Sequence, residues 1–523
     1  MRGLPAMPNS DGLKKQMKVQ FGGYDHNLGA EEGTLWDMEN LCDELYPMLS
    51  PRPERIKVQT LTVPNGIAAK DGLYWVDGTD FYFKGEKKGT VEDSRKFFCT
   101  LGAYLIVMPD KAYYNSVTDE FGSLEAAWTG TATFQDGTYA GESAKANTIT
   151  TTGEAFPFSV NEAIVISGSS KEENNKTVVI REISDDKKTL RFYENTFAEG
   201  SLTEEVTLKR EVPDLDFLIE NENRLWGAKG DTIRCSYLGN PFIWDNYDTV
   251  STACFAVDVG SSGDFTGAAS YLGYPVFFKE EHIYKVYGDK PSNFQVMGSA
   301  SLGVEAGSGA SLAVAGERLF YLSRVGVVSY AGGIPSSVYR PFGTVDYHNA
   351  VGGSDGRRYF VSMQDNDGAW SLFVFDTETS LWHREDAWQP VGFAWDSGLY
   401  LLGADGNMWL DGRSRPVEGT AEGPFESMVE FNDFIDSSPD RKGILRFQLR
   451  MELDEGTEME MYMKLNSGEW ELIQEMTASR KKTYLVPIVP RRCDHFRLKL
   501  VATGSWRLWG LTRERYTGSE LFY

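Results

Sequence analysis

The amino-acid sequence predicts an all-β protein whose main body is a β-propeller of about seven blades. A turn residue followed at once by an aromatic-rich strand recurs along the chain, and from Asn223 onward the steps are 50, 43, 40 and 42 residues. Because a four-stranded blade takes ~40–50 residues, these steps are typical of successive blades. Seven positions begin such a unit: Gly72, Gly102, Asn223, Gly273, Gly316, Gly356 and Gly398.

The repeated unit is clearest around Asn223. A polar turn at Asn221–Asn223 leads into the apolar strand Leu225–Trp226, and the glycine-rich hairpin Gly227–Asp231 leads into a second strand, Thr232–Tyr237. Turn residues that flank β-branched and aromatic runs are the usual sign of antiparallel strands. Asparagine replaces glycine here because it tolerates a positive φ better than most other residues.

An N-terminal arm, residues 1–64, precedes the first predicted blade. Proline fixes φ in Pro51-Arg52-Pro53, so this part of the arm is a rigid lead-in to the blades. Before it, extended structure and a short helix both fit the sequence. The helix would place four apolar residues on one face: Leu35, Met38, Leu41 and Leu45.

The propeller is predicted in two parts, residues 65–124 and 213–415. The step from Gly102 to Asn223 is 121 residues, which is too long for one blade. Residues 125–212 are therefore predicted to form an inserted small β-barrel-like domain, in which strand patterns alternate with polar turns.

The remaining residues, 416–523, change character. Apolar and polar residues alternate strictly over Leu445–Leu453, and the pattern returns at Phe496–Leu500. Strict alternation indicates strands with one buried and one solvated face. These residues are therefore predicted to form a separate C-terminal β-sandwich.

Composition excludes several classes of protein. The 523 residues include 52 Lys and Arg against 76 Asp and Glu, a net charge of −24, so the chain as a whole repels nucleic acid. The N-terminus lacks the apolar core of a signal peptide, and no run of about 18 apolar residues indicates a membrane span. These features predict a soluble protein that is not exported by the usual route.

The five cysteines stand far apart and form no CxxC pair, which argues against a zinc ribbon or a disulfide framework. They are predicted to be small buried residues of a chain made in a reducing cytoplasm. Their positions are Cys42, Cys99, Cys235, Cys254 and Cys493.

Other cofactor and catalytic motifs are missing as well. No phosphate-binding loop is present, and the five histidines do not pair at metal-ligand spacing. Cys493 and His495 would share one face of a strand but lack a third ligand, and Gln364–Gly368 fits a hairpin turn better than a calcium loop. We therefore predict no catalytic residue, no metal and no cofactor, and we expect a protein that is not an enzyme.

Short motifs resemble those of a known family. Gly22-Gly23, Asn40, Leu49 and Arg52-Pro53 in the arm are similar to the start of bacteriophage tail β-propeller proteins, the tail nozzle or tail tubular proteins. Asn223-Arg-Leu-Trp-Gly and Leu238-Gly-Asn-Pro-Phe-Ile-Trp resemble a blade motif of the same group. The segment from Arg491 to Leu511 resembles C-terminal domains of tail-associated proteins in phages of Gram-positive bacteria.

The resemblance implies a structural virion protein, made in the host bacterial cytoplasm and located in the tail. Nozzle proteins are typically hexameric rings that extend the DNA conduit used in genome delivery, with an adaptor above and fibres or a tip below. DNA would pass through such a ring without specific binding. The resemblance assigns no individual functional residue.

Two alternatives remain beside this interpretation. One is a tail-tip or baseplate propeller that contacts a host receptor or fibres. The other belongs to a different class, a glycan-processing propeller enzyme, because propellers host glycosidases that use two carboxylates. The repeated Ser-x-Asp-x-Gly-x-x-Trp turn of sialidase-like propellers is not present, since Gly353-Ser-Asp-Gly356 is too short to match.

Charge is distributed unevenly along the chain. From Arg480 to Tyr523 ten basic residues face three acidic ones, so this end carries +7 and the remainder −31. Complementary surfaces favour contacts between copies of a chain. Arg491, Arg492 and Arg497 are therefore the candidate assembly interface, with the alternative that they simply face water.

Overall fold

The all-β propeller prediction is confirmed by the computed structural model. It describes residues 14–27, 31–136, 147–193, 196–435, 441–477, 482–489 and 491–517. The chain divides into two compact units. One is Thr62–Gly309, and the other combines Met1–Leu61 with Ala310–Tyr523. Throughout the described residues, no helix is long and apolar enough to cross a membrane.

The unit Thr62–Gly309 contains four blades, each a four-stranded antiparallel sheet with its strands in chain order. Blade 1 consists of Pro64–Ala69, Leu73–Asp77, Asp80–Phe83 and Glu86–Thr90, and blade 2 of Phe97–Leu101, Tyr104–Met108, Ala112–Asn115 and Glu120–Ser123. Blade 3 consists of Phe217–Asn221, Arg224–Lys229, Thr232–Cys235 and Phe255–Asp258, and blade 4 of Gly267–Tyr271, Tyr274–Lys279, His282–Tyr287 and Gln295–Ala300.

The other unit contains three further blades. Blade 5 consists of Ala313–Ala315, Arg318–Ser323, Gly326–Tyr330 and Ser336–Ser337, and blade 6 of Tyr347–Ser354, Arg358–Asp365, Trp370–Asp376 and Leu381–Arg384. Blade 7 takes Pro390–Trp395, Leu399–Gly403 and Asn407–Leu410 from its own sequence, and Ile56–Thr60 of the arm is its fourth strand. The short strand Thr420–Ala421 pairs with the arm strand on its other side.

The predicted repeat positions all lie in the turn between the first and second strands of a blade. This turn requires a positive φ, which glycine adopts without strain and asparagine tolerates. Six of the positions have it: Gly72 (139°), Gly102 (55°), Asn223 (58°), Gly273 (78°), Gly316 (51°) and Gly356 (93°). In blade 7 the positive φ belongs to Ser397 (58°), one residue before Gly398.

The insertion forms a seven-stranded sheet with its own core. In spatial order the strands are Thr177–Val179, Ala163–Ser167, Ser201–Arg210, Ala126–Gln135, Thr148–Thr151, Thr189–Arg191 and Glu182–Ile183. Phe134, Phe156 and Leu208 pack in its interior, apart from the core shared by blades 2 and 3. Ala126 and Arg210 are directly paired, so the chain enters and leaves the insertion at neighbouring positions.

The C-terminal region is a β-sandwich to which the arm contributes a strand in each sheet. One sheet consists of Lys14–Lys18, Trp506–Thr517, Lys442–Leu453 and Lys482–Pro487, and the short strand Arg492–Cys493 pairs with the start of Lys442–Leu453. The other consists of Leu35–Glu39, Glu426–Phe431, Phe496–Thr503, Glu458–Leu465 and Trp470–Thr477. Over Leu35–Glu39 the arm is an extended strand and not the alternative short helix. Its residues belong to the same compact unit as the sandwich.

Short elements complete the fold. Leu41–Cys42 pairs with Ser50–Pro51 in a two-stranded sheet of the arm. Four single-turn 3₁₀ helices are present among the described residues: Glu172–Asn174, Pro291–Asn293, Gly309–Ser311 and Arg340–Phe342. All five cysteines are buried, as predicted.

Excision of the insertion, residues 126–210, with a short Gly-Ser linker should leave the blades folded. Paired residues of antiparallel strands lie about 5 Å apart, so a short linker spans the gap. Glu162 and Arg210, a buried ion pair of 2.7 Å, are removed together, so neither charge is left buried alone. Far-UV circular dichroism and a cooperative thermal transition would check the result. An isolated fragment of residues 125–212 serves as the control, and loss of folding in the excised chain would contradict the prediction.

Candidate functional site

The arm motif sits at a buried junction with blade 7 and the sandwich. The Arg52 side chain is 1% exposed; it donates to Asn40 Oδ1 (2.9 Å) and makes two bonds to Glu422, of 2.7 and 2.8 Å. Asn40 has φ of 54° and donates its side-chain amide to the carbonyl of Glu426. A planar guanidinium matches a carboxylate in this bidentate geometry, so Arg52 fixes the direction in which the arm enters blade 7.

Other residues of the arm motif also have structural contacts. A Cβ added to Gly23 would lie 2.4 Å from the carbonyl oxygen of Trp382, so only glycine permits this close approach. Leu49 exchanges two backbone hydrogen bonds with Leu508 of the sandwich, 3.2 and 2.9 Å long. The family-like motif therefore consists of residues that hold the arm against its neighbours.

Glu385, at the end of blade 6, is the centre of a buried ionic network. Its carboxylate is fully buried and accepts from Arg55 and Arg413, each at 2.6 Å. Burial raises the pKa of Glu385, but Arg413, Arg55 and Arg52 outweigh it and lower this pKa to about 2. Glu385 is therefore a permanent anion that neutralises buried arginines, and it has no proton to donate near neutral pH.

A second group of charges joins the arm to blade 6. Arg358 lies beside Asp376 (3.2 Å) and Asp355 (3.1 Å) and is also paired with Glu44 of the arm. Asp376 is fully buried; burial raises its pKa, and hydrogen bonds from Arg357 and the following backbone outweigh this and lower it. Here too the buried carboxylate is held ionised as a partner of arginine.

Glu39 differs from these carboxylates. It is half-buried on the arm strand and lies 3.6 Å from Arg384, which is also paired with Asp37 at 3.2 Å. Burial raises the pKa of Glu39 against the opposing charge of Arg384, and Asp37, Asp386 and Glu426 raise it further. A raised pKa is one of the properties that a carboxyl group needs in order to act as a general acid.

A cavity of about 690 Å³ opens between the arm and the sandwich loops. Its apolar lining includes Leu45, Pro53 and Phe425, and the Arg52 guanidinium lies 4.2 Å from the centre of the Phe425 ring. Asp454 and Glu455 stand at its exposed side. Its volume suits a small ligand or a few side chains of a partner.

The structure separates the three predicted interface arginines into two kinds. Arg491 and Arg492 are exposed, and Arg491 pairs with the equally exposed Glu471 at 2.6 Å. Arg497 is bound within its own chain: it pairs with Asp433 (2.7 Å) and Glu430 (2.9 Å) and lies over Trp36. The role of all three in assembly stays a prediction.

Sequence reasoning did not find the ionic network, the cavity or Glu39. Arg52 was noticed as part of a motif, but its partner Glu422 is 370 residues away. In the described part of the chain, no group of three or more His, Cys, Asp or Glu residues is placed to hold a metal ion. The predicted lack of a metal or cofactor stays a prediction.

We expect Glu385→Gln to lower the free energy of unfolding by about 3–5 kcal/mol, since it leaves Arg55 and Arg413 buried without their shared anion. Urea-induced unfolding followed by tryptophan fluorescence would measure the loss. Arg491→Gln breaks an exposed pair and is the control, for which we expect no measurable change. Equal stability of both variants would contradict a central role for Glu385.

A comparison of wild type with Glu385→Gln at different pH values tests the assigned pKa of Glu385. The folded-state pKa of Glu385 is depressed to about 2, so its contribution is fully present above the unfolded value of about 4.3 and is lost as the pH falls toward 2. The stability difference between wild type and Glu385→Gln should therefore shrink as the pH is lowered from about 5 to about 2. A difference that stays constant over this range would contradict the assigned pKa.

Comparisons with known proteins give likeness of fold alone. No family model and no curated protein matches the chain. Similar solved structures include an exo-β-1,3-galactanase from Phanerochaete chrysosporium (TM-score 0.22, 9% identity, covering 57% of this chain and 94% of that one). They also include the phage phi92 endosialidase (TM-score 0.21, 10% identity, 71% and 67%) and an engineered GH43 glycoside hydrolase (TM-score 0.20, 11% identity, 58% and 96%).

These comparisons correct one prediction. They contradict the expectation that the chain is not an enzyme, since the similar solved structures include glycoside hydrolases and an endosialidase, and that expectation is withdrawn. At these identities and TM-scores the likeness transfers no activity, substrate or residue to this chain. The chain is an all-β propeller protein with an inserted β domain and a C-terminal β-sandwich.

Proposed function

We propose that the chain is a structural protein of a bacteriophage tail, in which copies form a nozzle-like ring that extends the DNA conduit used in genome delivery. One observation carries the proposal. Arm residues that resemble nozzle proteins hold the arm against its neighbours: Gly23 packs against blade 6, Leu49 bonds to the sandwich, and Arg52 bonds to Asn40 and Glu422. A motif with these contacts fits a protein whose parts must stay joined under force.

Charge and burial support the same function. The net charge of −24 suits a conduit from which DNA must leave, because an acidic lining does not hold a polyanion. Glu385 and Asp376, both fully buried, are occupied by arginines that tie the arm to the blades. In this proposal the ring is a hexamer with an adaptor above it and fibres or a tip below.

Purified phage particles test this proposal. We expect quantitative mass spectrometry to find the chain in particles at about six copies per tail, and labelled antibody fragments to bind between the head and the tail tip. As a control for contamination, the same purification must remove chain that is not bound to particles. Label at the tip alone would favour the receptor-binding alternative, and absence from particles would contradict a virion function.

A glycan-processing enzyme is a second candidate, and Glu39 is the observation that favours it. Its pKa is raised by burial, and Asp37, Asp386 and Glu426 are acidic residues near enough to raise it further; a glycosidase uses one such carboxylic acid and a second carboxylate. In this alternative Glu39 would protonate the leaving oxygen, and one of these three neighbours would act as base or nucleophile.

This second candidate predicts hydrolysis of at least one polysaccharide in a panel of bacterial surface glycans. Glu39→Gln should lower the rate by about 10²–10⁴-fold, since it removes the proton donor. Glu458→Gln, an exposed substitution on the sandwich, is the matched control and should leave the rate unchanged. No hydrolysis by the wild-type chain, or equal rates in both variants, would contradict the enzymatic function.

A further inference from the structure

The exposed tip that precedes the strand Phe496–Thr503 has both apolar and basic side chains. Val489 is 75% exposed, and Arg491 and Arg492 follow it on the surface. Arg492 has no ion-pair partner among the described residues, and the Arg491–Glu471 pair is exposed enough to be exchanged at little cost. We call Val489, Arg491 and Arg492 the knob.

The cavity beside the arm has the complementary chemistry. Leu45, Pro53 and Phe425 supply apolar lining, and three carboxylates lie along its exposed side: Glu54, Asp454 and Glu455. The lining also holds two arginines, each with a carboxylate of its own: Arg52 pairs with Glu422 and Arg507 with Glu452. None of the three carboxylates forms an ion pair within the described ranges of the chain. An apolar side chain flanked by two arginines therefore meets apolar lining and unneutralised acid in this cavity.

The knob of a chain cannot reach the cavity of that chain. Arg492 pairs with Gly443, at the start of the twelve-residue strand Lys442–Leu453, whereas Asp454 and Glu455 follow the end of the same strand. The eleven residue steps from Gly443 to Asp454, at ~3.3 Å each, span about 36 Å. The two surfaces are therefore at opposite ends of one rigid strand.

We propose that the knob of one copy docks in the cavity of the next copy of this chain. A contact between two different patches is heterologous, so a docked pair still has one free knob and one free cavity, and copies add head to tail until a ring closes. The contact rests on the proposed function, in which copies of the chain assemble, and it assigns residues to that assembly. Arg497, paired within its own chain, is not part of it.

Two variants of the full chain test the contact by analytical ultracentrifugation. Arg491→Glu with Arg492→Glu removes the knob, and Asp454→Lys with Glu455→Lys removes the cavity. Wild-type chain should form species larger than a dimer at low salt, and each variant should self-associate at least tenfold more weakly. Raising the salt from 50 to 500 mM should weaken wild-type assembly, because screening shortens the reach of the charges.

Mixing the two variants gives the decisive result. The knob-deficient copy keeps its cavity and the cavity-deficient copy keeps its knob, so an equimolar mixture should form dimers and nothing larger. Arg450→Glu and Glu458→Lys, exposed charge reversals on the same sandwich, are matched controls that should assemble like wild type. Circular dichroism of each variant confirms folding, and the single substitutions Arg492→Glu and Glu455→Lys replace any double variant that fails to fold.

Three results would overturn the contact: a monomeric wild-type chain at about 100 μM, variants that assemble like wild type, or a mixture that stays monomeric. These results are separate from the test of the proposed function. A chain found in phage tails but monomeric in solution overturns this contact and leaves the virion function standing. Knob-dependent assembly of a chain that is absent from particles does the reverse.

Discussion

Charge neutralisation in the interior is the constraint on which the arrangement of the arm depends. Arg52, Arg55 and Arg413 are almost completely buried, and each has a carboxylate within 2.7 Å. An isolated buried guanidinium is strongly unfavourable, so these residues can be inside only when Glu385, Glu422 and their neighbours are in place. The arm is thus held in one position by electrostatics as well as by its strands.

Burial of ion pairs is weak evidence for stability, because apolar residues of similar size often stabilise a core as well or better. In this protein the buried ion pairs contribute to specificity, that is, to the choice of one strand register over others. A slip of the arm strand Ile56–Thr60 by one residue would leave its side chains on the wrong faces and would move Arg55 away from Glu385. The network therefore penalises the alternative registers that strand pairing alone would allow.

Local patterns in the sequence were enough to predict the blades and the sandwich. The positive-φ turn falls at Gly72 and Gly273 because glycine is the residue that adopts it without strain, and strict alternation over Leu445–Leu453 marks a strand with one buried face. Such signals lie within a few residues of each other, so one sequence is sufficient to read them.

Contacts between distant parts of the chain could not be predicted in this way. The fourth strand of blade 7, Ile56–Thr60, is separated from its partner Asn407–Leu410 by about 350 residues. Neither segment has a sequence feature that identifies the other as its partner. The arm strands Lys14–Lys18 and Leu35–Glu39 join the sandwich in the same manner. The candidate site follows the same rule: Arg52 was visible in a motif, but Glu422 and Glu385 were not.

This separation has a consequence for the order of folding. Ile56–Thr60 leaves the ribosome early, yet its strand partner and the carboxylates that neutralise Arg52 and Arg55 are made only with residues 385–422. Until those residues are made, this strand has no partner from blade 7, and Arg52 and Arg55 have neither Glu385 nor Glu422 to neutralise them. Closure of blade 7 and burial of the arginines are one step, because pairing the strand without Glu385 and Glu422 would bury charge alone. The cavity beside the arm, which requires Pro53, Phe425 and Asp454 together, exists only after that step, so a copy cannot offer it to a neighbour before its own fold is complete.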